Sequence, residues 1–161
     1  MNPNFKLPCR QRIANLIESE ANLQRRILRQ QVSDHISDGG KISMTTDMWT
    51  SCANDAYLAL TAHWVNKEFN MQNFLLGIYF FSSDEHTTIN LSHFLASKIQ
   101  EYEINPRNDI IAITSDNSST ITKAIHDEFP QTEIIRCTAH SLQLTVQSVF
   151  KLGQKWLKSN R

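Results

Sequence analysis

Lys41 to Ser51 reads KISMTTDMWTS, and Asp109 to Asp116 reads DIIAITSD. Each run closes on small hydroxyl residues followed by one aspartate, Asp47 in the first and Asp116 in the second. Alternation from Ile42 to Asp47 predicts a half-buried strand ending at that aspartate. The short apolar run before Asp116 predicts a strand buried on both faces. A lone aspartate where a strand stops is an ordinary turn former, so the two carry information only as a pair. A right-handed helical crossover can set the two strands parallel and side by side. Both carboxylates then reach the carboxyl edge, where open α/β sheets bind ligands. On that geometry Ser43, Thr45 and Asp47 share one face of the first strand, and Ile110, Ala112, Thr114 and Asp116 share one face of the other.

Charge repulsion makes such a pair chemically pointed. Two carboxylates about 4 Å apart repel by roughly 4 kcal/mol at an effective dielectric of about 20, which calls for a cation or a shared proton. Oxygen donors alone select hard divalent ions, Mg²⁺ or Mn²⁺. Two such ions activate a water or hydroxyl and stabilise the leaving oxygen of a phosphodiester. The alternative on residues alone is two ordinary strand-end turns.

Outward from these strands the chain reads α, β, β, β, α, β, α, β, α. After Pro8, the residues Ile13, Leu16, Ile17, Leu23, Ile27 and Leu28 recur at helical spacing as far as Gly39-Gly40, and this stripe is expected to pack on the rest of the fold. Ala56–Val65 and Met71–Phe81, joined by the polar Asn66–Asn70, predict a hairpin. A helix is expected over 86–103, capped at Ser83-Asp84, and another from Ser118 or Ser119 to Phe129, where Pro130 stops it. A fifth strand is expected at Glu133–Cys137, then a helix with Leu142, Val146, Val149 and Trp156 on one face. The pattern implies a mixed sheet with helices on both faces. Residues 1–40 form an N-terminal helical segment, 41–137 the α/β core and 138–161 a C-terminal helix.

At 161 residues the chain suits one domain with a substantial core. No apolar run is long enough to span a bilayer. The N-terminus lacks the apolar stretch of a secretory signal, so secretion is not expected. Three scattered cysteines, Cys9, Cys52 and Cys137, argue for a reducing compartment rather than a disulfide framework. Net charge is zero but unevenly laid out. Residues 1–31 hold six Lys/Arg against two Glu, and 151–161 hold four bases with no acid. Residues 32–150 hold six Lys/Arg against fourteen acids, which is hostile to DNA unless cations intervene. Cys137 and His140 have a ligand-like spacing, yet structural zinc needs about four protein ligands and no partner pair is evident. His63 and His86 read as surface or packing residues.

Four motifs in register complete the reading. KISMTTDMWTS, AYLALTAHWVN (56–66), AITSDNSS (112–119) and IRCTAHSLQLTVQ (135–147) resemble the transposases of the hAT superfamily. They also resemble the domesticated, BED-zinc-finger-associated and ricesleeper-like proteins derived from them. LPCRQRIANLI (7–17) and EHTTINL (85–91) fit the same pattern, so the resemblance runs from about Leu7 to about Val149. It implies an RNase H-like fold, a mixed five-stranded sheet in the order β-β-β-α-β-α-β, flanked by helices and incomplete at the C-terminus. It implies that Asp47 and Asp116 are the first two acids of an Asp-Asp-Glu triad that binds Mg²⁺ or Mn²⁺ for DNA cleavage and strand transfer. Cys137 and His140 would sit beside that acidic site, and Trp49-Thr50-Ser51 would serve packing and the turn.

Ser118, Ser119 and Thr120 depart from the family's usual residues, as does Thr88. The family's Glu lies on a late helix beyond a large insertion, and no acid follows Glu133 here. The chain is therefore expected to be a fragment with an incomplete triad, inactive alone. The alternative is a non-enzymatic DNA- or protein-interaction module derived from a transposase, with a homo-oligomer or protein partner. Nuclear location follows from the resemblance.

Overall fold

A computed structural model describes residues 8–81, 87–116 and 118–159, with 153–159 as backbone only. The expected cap at Ser83-Asp84, His86, Asn117 and the side chain of Trp156 lie outside the described residues. The elements are α1 (Arg10–Ser37), β1 (Ile42–Thr50), β2 (Ala56–Val65), β3 (Met71–Phe81), α2 (Thr88–Gln100), β4 (Ile110–Ser115), α3 (Ser119–Glu128), β5 (Glu133–Arg136) and α4 (Thr138–Ser159). The sheet runs β3-β2-β1-β4-β5. β1, β2 and β3 form an antiparallel meander, while β4 lies parallel to β1 and β5 parallel to β4. This is an α/β, RNase H-like arrangement with an N-terminal helix.

Local chemistry explains most boundaries. The Ser51 hydroxyl accepts the backbone N–H groups of Ala53 and Asp55 and so closes the β1–β2 turn. Asn66 does the same for Glu68 and Asn70 between β2 and β3. Among the described residues, α2 is capped by Thr87, whose hydroxyl accepts the N–H of Asn90. Gly39 ends α1 at φ +82°, a backbone state that suits glycine.

One core holds the molecule together, and it lies on one side of the sheet. Ile42, Met44, Leu58, Leu60, Ala62 and Ile113 point into it. They meet Leu28 and Val32 of α1, Leu91, Leu95 and Ile99 of α2, and Ile121, Ala124 and Ile125 of α3. The helices expected on both faces are unevenly shared. Both crossovers, β3–α2–β4 and β4–α3–β5, advance the same way across the sheet, so right-handedness puts both helices on the same face. Among the described residues, only the first turns of α4 approach the opposite face.

Two bulges set which residues face that open side. In the β1–β4 ladder Ile42 pairs with Ile110 but Ser43 with Ala112, leaving Ile111 as the extra residue. Ile110 is thereby buried with Ile113 and Ser115 instead of sharing the face of Ala112 and Thr114. Nor is β4 covered on both faces, since Ile111 is 51% exposed. In the β2–β3 ladder Leu60 pairs with Gly77 and Thr61 with Leu75, so Leu76 is extra. Its carbonyl accepts the Tyr102 hydroxyl at 2.5 Å, and its side chain enters the core. The stripe on α1 is also only partly packed. Ile13, Leu16 and Ile17 are exposed, and burial begins at Leu28.

Candidate functional site

β1 does not stop at Asp47. It stays paired with β2 through Thr50 and Ala56, with Asp47 opposite Ala59. What ends near Asp47 is the pairing with β4, whose last ladder pair is Thr45 with Thr114. β1 therefore runs past β4, and Asp47 stands on the stretch where only one neighbour continues. Asp116 stands one residue past the end of β4, beyond the paired register, and lines the same cleft as Asp47. Each aspartate follows a threonine by two residues, so Thr45, Asp47, Thr114 and Asp116 share the open face.

These four residues line one cleft of about 420 Å³, together with Thr46, Cys137, Ala139, His140 and Gln143. All the residues singled out as site candidates are thus brought together. Asp47 is exposed and Asp116 half-buried. One Asp116 oxygen accepts the Ser118 N–H at 3.1 Å, which ties the carboxylate to the start of α3. The Ser115 hydroxyl donates to the Asp116 carbonyl at 3.0 Å and steadies the same turn. Cys137 N–H donates to the Ser115 carbonyl at 2.8 Å and extends the β4–β5 ladder by one bond, which lifts the start of α4 over the cleft. His140 is half-buried at its rim.

The donor set suits a hard cation in part. Asp47 and Asp116 offer carboxylate oxygens, and Thr45 and Thr114 lie beneath them. Among the described residues no three His, Cys, Asp or Glu side chains cluster at ligand distance. Two carboxylates with the remainder of the shell as water match how Mg²⁺ is commonly held. Trp49 shares the face of Thr45 and Asp47 on β1 and stacks on Tyr57, with ring centroids 5.8 Å apart.

His63, expected to be a surface or packing residue, is half-buried and hydrogen-bonded. It stands on the open face beside Thr45, between Thr61 and Asn73. The period-two spacing of Thr61 and His63 was the available signal, but nothing in it reveals that Thr45 is the cross-strand neighbour.

The family model described as the ZBED1 RNase-like domain matches residues 45–141, which include Asp47, Asp116, Cys137 and His140. The candidate transcriptional regulator tpeD of Talaromyces stipitatus is 28% identical over 154 residues, covering 89% of this chain and 17% of that protein. A candidate AC transposase of Zea mays is 28% identical over 120 residues, covering 66% of this chain and 14% of the relative. The transposable element Hobo transposase of Drosophila melanogaster is 23% identical over 145 residues, covering 89% of this chain and 21% of the relative. The chain spans about a fifth or less of the length of these relatives. With a matched model over more than half its length and an RNase H-like sheet, this chain belongs to the ZBED1 RNase-like domain family, an hAT transposase-like group.

Proposed function

We propose that this domain takes part in DNA chemistry of the transposase kind, with Asp47 and Asp116 together holding a hydrated Mg²⁺ or Mn²⁺. The single observation that carries this is their convergence, from strands more than sixty residues apart, on one cleft of one sheet face. When bound, such an ion polarises a phosphodiester oxygen and lowers the pKa of a water. The residues' own part is placement. β1 presents Asp47 from a rigid, paired strand, while the Ser118 N–H holds one oxygen of Asp116 and leaves the other for the ion. The acidic middle of the chain supports the same reading, because a phosphate backbone approaches two carboxylates only with a cation between them. DNA is the expected partner and the nucleus the expected location, as the names of the transposase and regulator relatives suggest.

Residues 1–161 supply two of the acids and no third after Glu133. We expect this chain by itself to bind the metal weakly and to cleave DNA little or not at all. Mn²⁺ titration followed by paramagnetic broadening of cleft resonances tests the site. Asp47→Asn and Asp116→Asn should each weaken binding about tenfold or more, and unchanged broadening in both variants would overturn the assignment. Robust nicking of plasmid DNA by the purified chain, abolished by Asp47→Ala, would overturn the expected inactivity.

A second reading is a non-enzymatic module that associates with another copy of itself. The open sheet face favours it. Leu75, Ile78 and Phe80, each 57% exposed, lie along one strand beside Tyr57 and Val65. Contiguous apolar patches beyond a few hundred Å² are unusual on monomers.

A further inference from the structure

α1 packs on the covered face of the sheet, away from the acidic cleft, and carries a polar row beside the end of α2. Arg26, Arg29, Gln30 and Ser33 stand at i, i+3, i+4 and i+7, which is one face of the helix. Together with Glu103 they line a cleft of about 320 Å³. Arg29 is half-buried, with its guanidinium carbon 5.7 Å from the centre of the Tyr102 ring. Its Nε is shut off from solvent and has no hydrogen-bond partner among the described residues. Among those residues neither Arg26 nor Arg29 makes an ion pair, although Glu103 lines the same cleft.

Structural duties do not account for this pair. Arginines near a helix C-terminus commonly serve its last carbonyls. Here the Ser97, Ile99 and Gln100 carbonyls already accept the N–H groups of Glu101, Tyr102 and Glu103. Arg25, one position off the row, is engaged, donating to Asn22 at 3.0 Å. Gln30 is engaged too, its amide donating to Asp34 at 2.8 Å. What remains is two guanidiniums and the Ser33 hydroxyl around one cleft. Arg29 is held by the ring beneath it, so little freedom is lost when its planar fork meets a ligand.

We propose that this cleft binds a phosphate group, with Arg26 and Arg29 as charged donors and Ser33 as a neutral one. Guanidinium forks match phosphate oxygens two at a time. A planar carboxylate fills one fork, whereas a tetrahedral phosphate presents oxygens to two forks and a hydroxyl at once. Glu103 is exposed at the same cleft, and its charge opposes the ligand. Two sources carry such a group, a DNA backbone and a small free phosphate, and the cleft chemistry is the same for both. With DNA as the source, the contact fixes the position of the duplex and reads no sequence. The site needs no metal and is independent of any ion at Asp47 and Asp116.

Inorganic phosphate titrated into the full chain at constant ionic strength, followed by the arginine Nε–Hε resonances, tests the site. Arg26 and Arg29 should shift saturably, while Arg10 and Arg12 on the same helix should not. A common drift of all four, or no shift at all, overturns the proposal. Glu103→Gln should tighten phosphate binding severalfold, and weaker binding in that variant would equally overturn it. Should Arg29→Gln fail to fold for loss of its contact with Tyr102, Arg26→Gln and Ser33→Ala serve instead. Each should weaken phosphate binding severalfold, the scale of one hydrogen bond, and unchanged affinity in both overturns the proposal. The second arm separates the sources by the fluorescence anisotropy of a short labelled DNA duplex of arbitrary sequence. It compares Arg26→Gln/Arg29→Gln with Arg10→Gln/Arg12→Gln, which removes the same charge from the same helix. A DNA source predicts a severalfold greater loss in the first double variant and a log–log salt slope shallower by about 1, one phosphate contact. No greater loss in the first, alongside saturable phosphate shifts, supports the site and assigns it to a small phosphate.

Discussion

Thr46 shows how sharply one strand separates its two sides. Its neighbours Thr45 and Asp47 face the open cleft, whereas Thr46 is 4% exposed on the core side and its hydroxyl has no hydrogen-bond partner among the described residues. A buried hydroxyl without a partner costs about 1–3 kcal/mol relative to one that is satisfied. Thr46→Val keeps the branched shape and removes the orphan, so urea unfolding should show a gain of about 1 kcal/mol. Tyr102 is the opposite case. Its hydroxyl is satisfied by the Leu76 carbonyl at the bulge, and burial pushes its pKa up from the ordinary phenol value. Burial raises Tyr79 as well. Both phenols hold their protons more tightly when folded. Their contribution is therefore intact below the unfolded pKa of about 10 and is lost as pH rises from there through the raised folded values. Urea midpoints should fall above about pH 10, and the fall should be shallower in Tyr102→Phe.

At the scale of elements, α1 divides into a half that belongs to the core and a half that does not. Leu28 and Val32 reach the core, Arg29 lies over the Tyr102 ring, and His35 stacks on Trp64. Ile13, Leu16 and Ile17 share the helical period but meet no part of the core. Helical spacing describes a stripe without stating what covers it, so the expectation that the whole stripe packs is met only near its end. Val32→Ala should cost about 2 kcal/mol by leaving a cavity. Leu16→Ala, on the exposed half, should change stability by no more than about 0.5 kcal/mol. Paired denaturation curves of the two variants check the contrast.

At the scale of the molecule, one face of the sheet is covered by the core helices, and among the described residues the other carries only the first turns of α4. This open face carries both the acidic cleft and the apolar row of β3, which places a candidate chemical site and a candidate contact surface side by side. Ile78→Thr with Phe80→Thr keeps residues suited to strands while removing most of that apolar area. Sedimentation velocity across a concentration series should show self-association in the wild type and less of it in the double variant. A wild type that stays monomeric throughout would remove the support for the self-association reading.

The residues themselves determined the element order and the limits of β2 and β3, because alternation and turn chemistry are local. They also singled out Asp47 and Asp116, through the small hydroxyl residues that come straight before each in a strand-like run. Tertiary structure alone decided which faces those elements present. Each bulge inserts one residue opposite a neighbour distant in sequence and reverses the period-two count from there on, which is why Ile110 turns into the core and Phe80 turns out of it. It alone also joined Thr45 to His63, because cross-strand register is fixed by pairing between segments and leaves no mark on the period of either one.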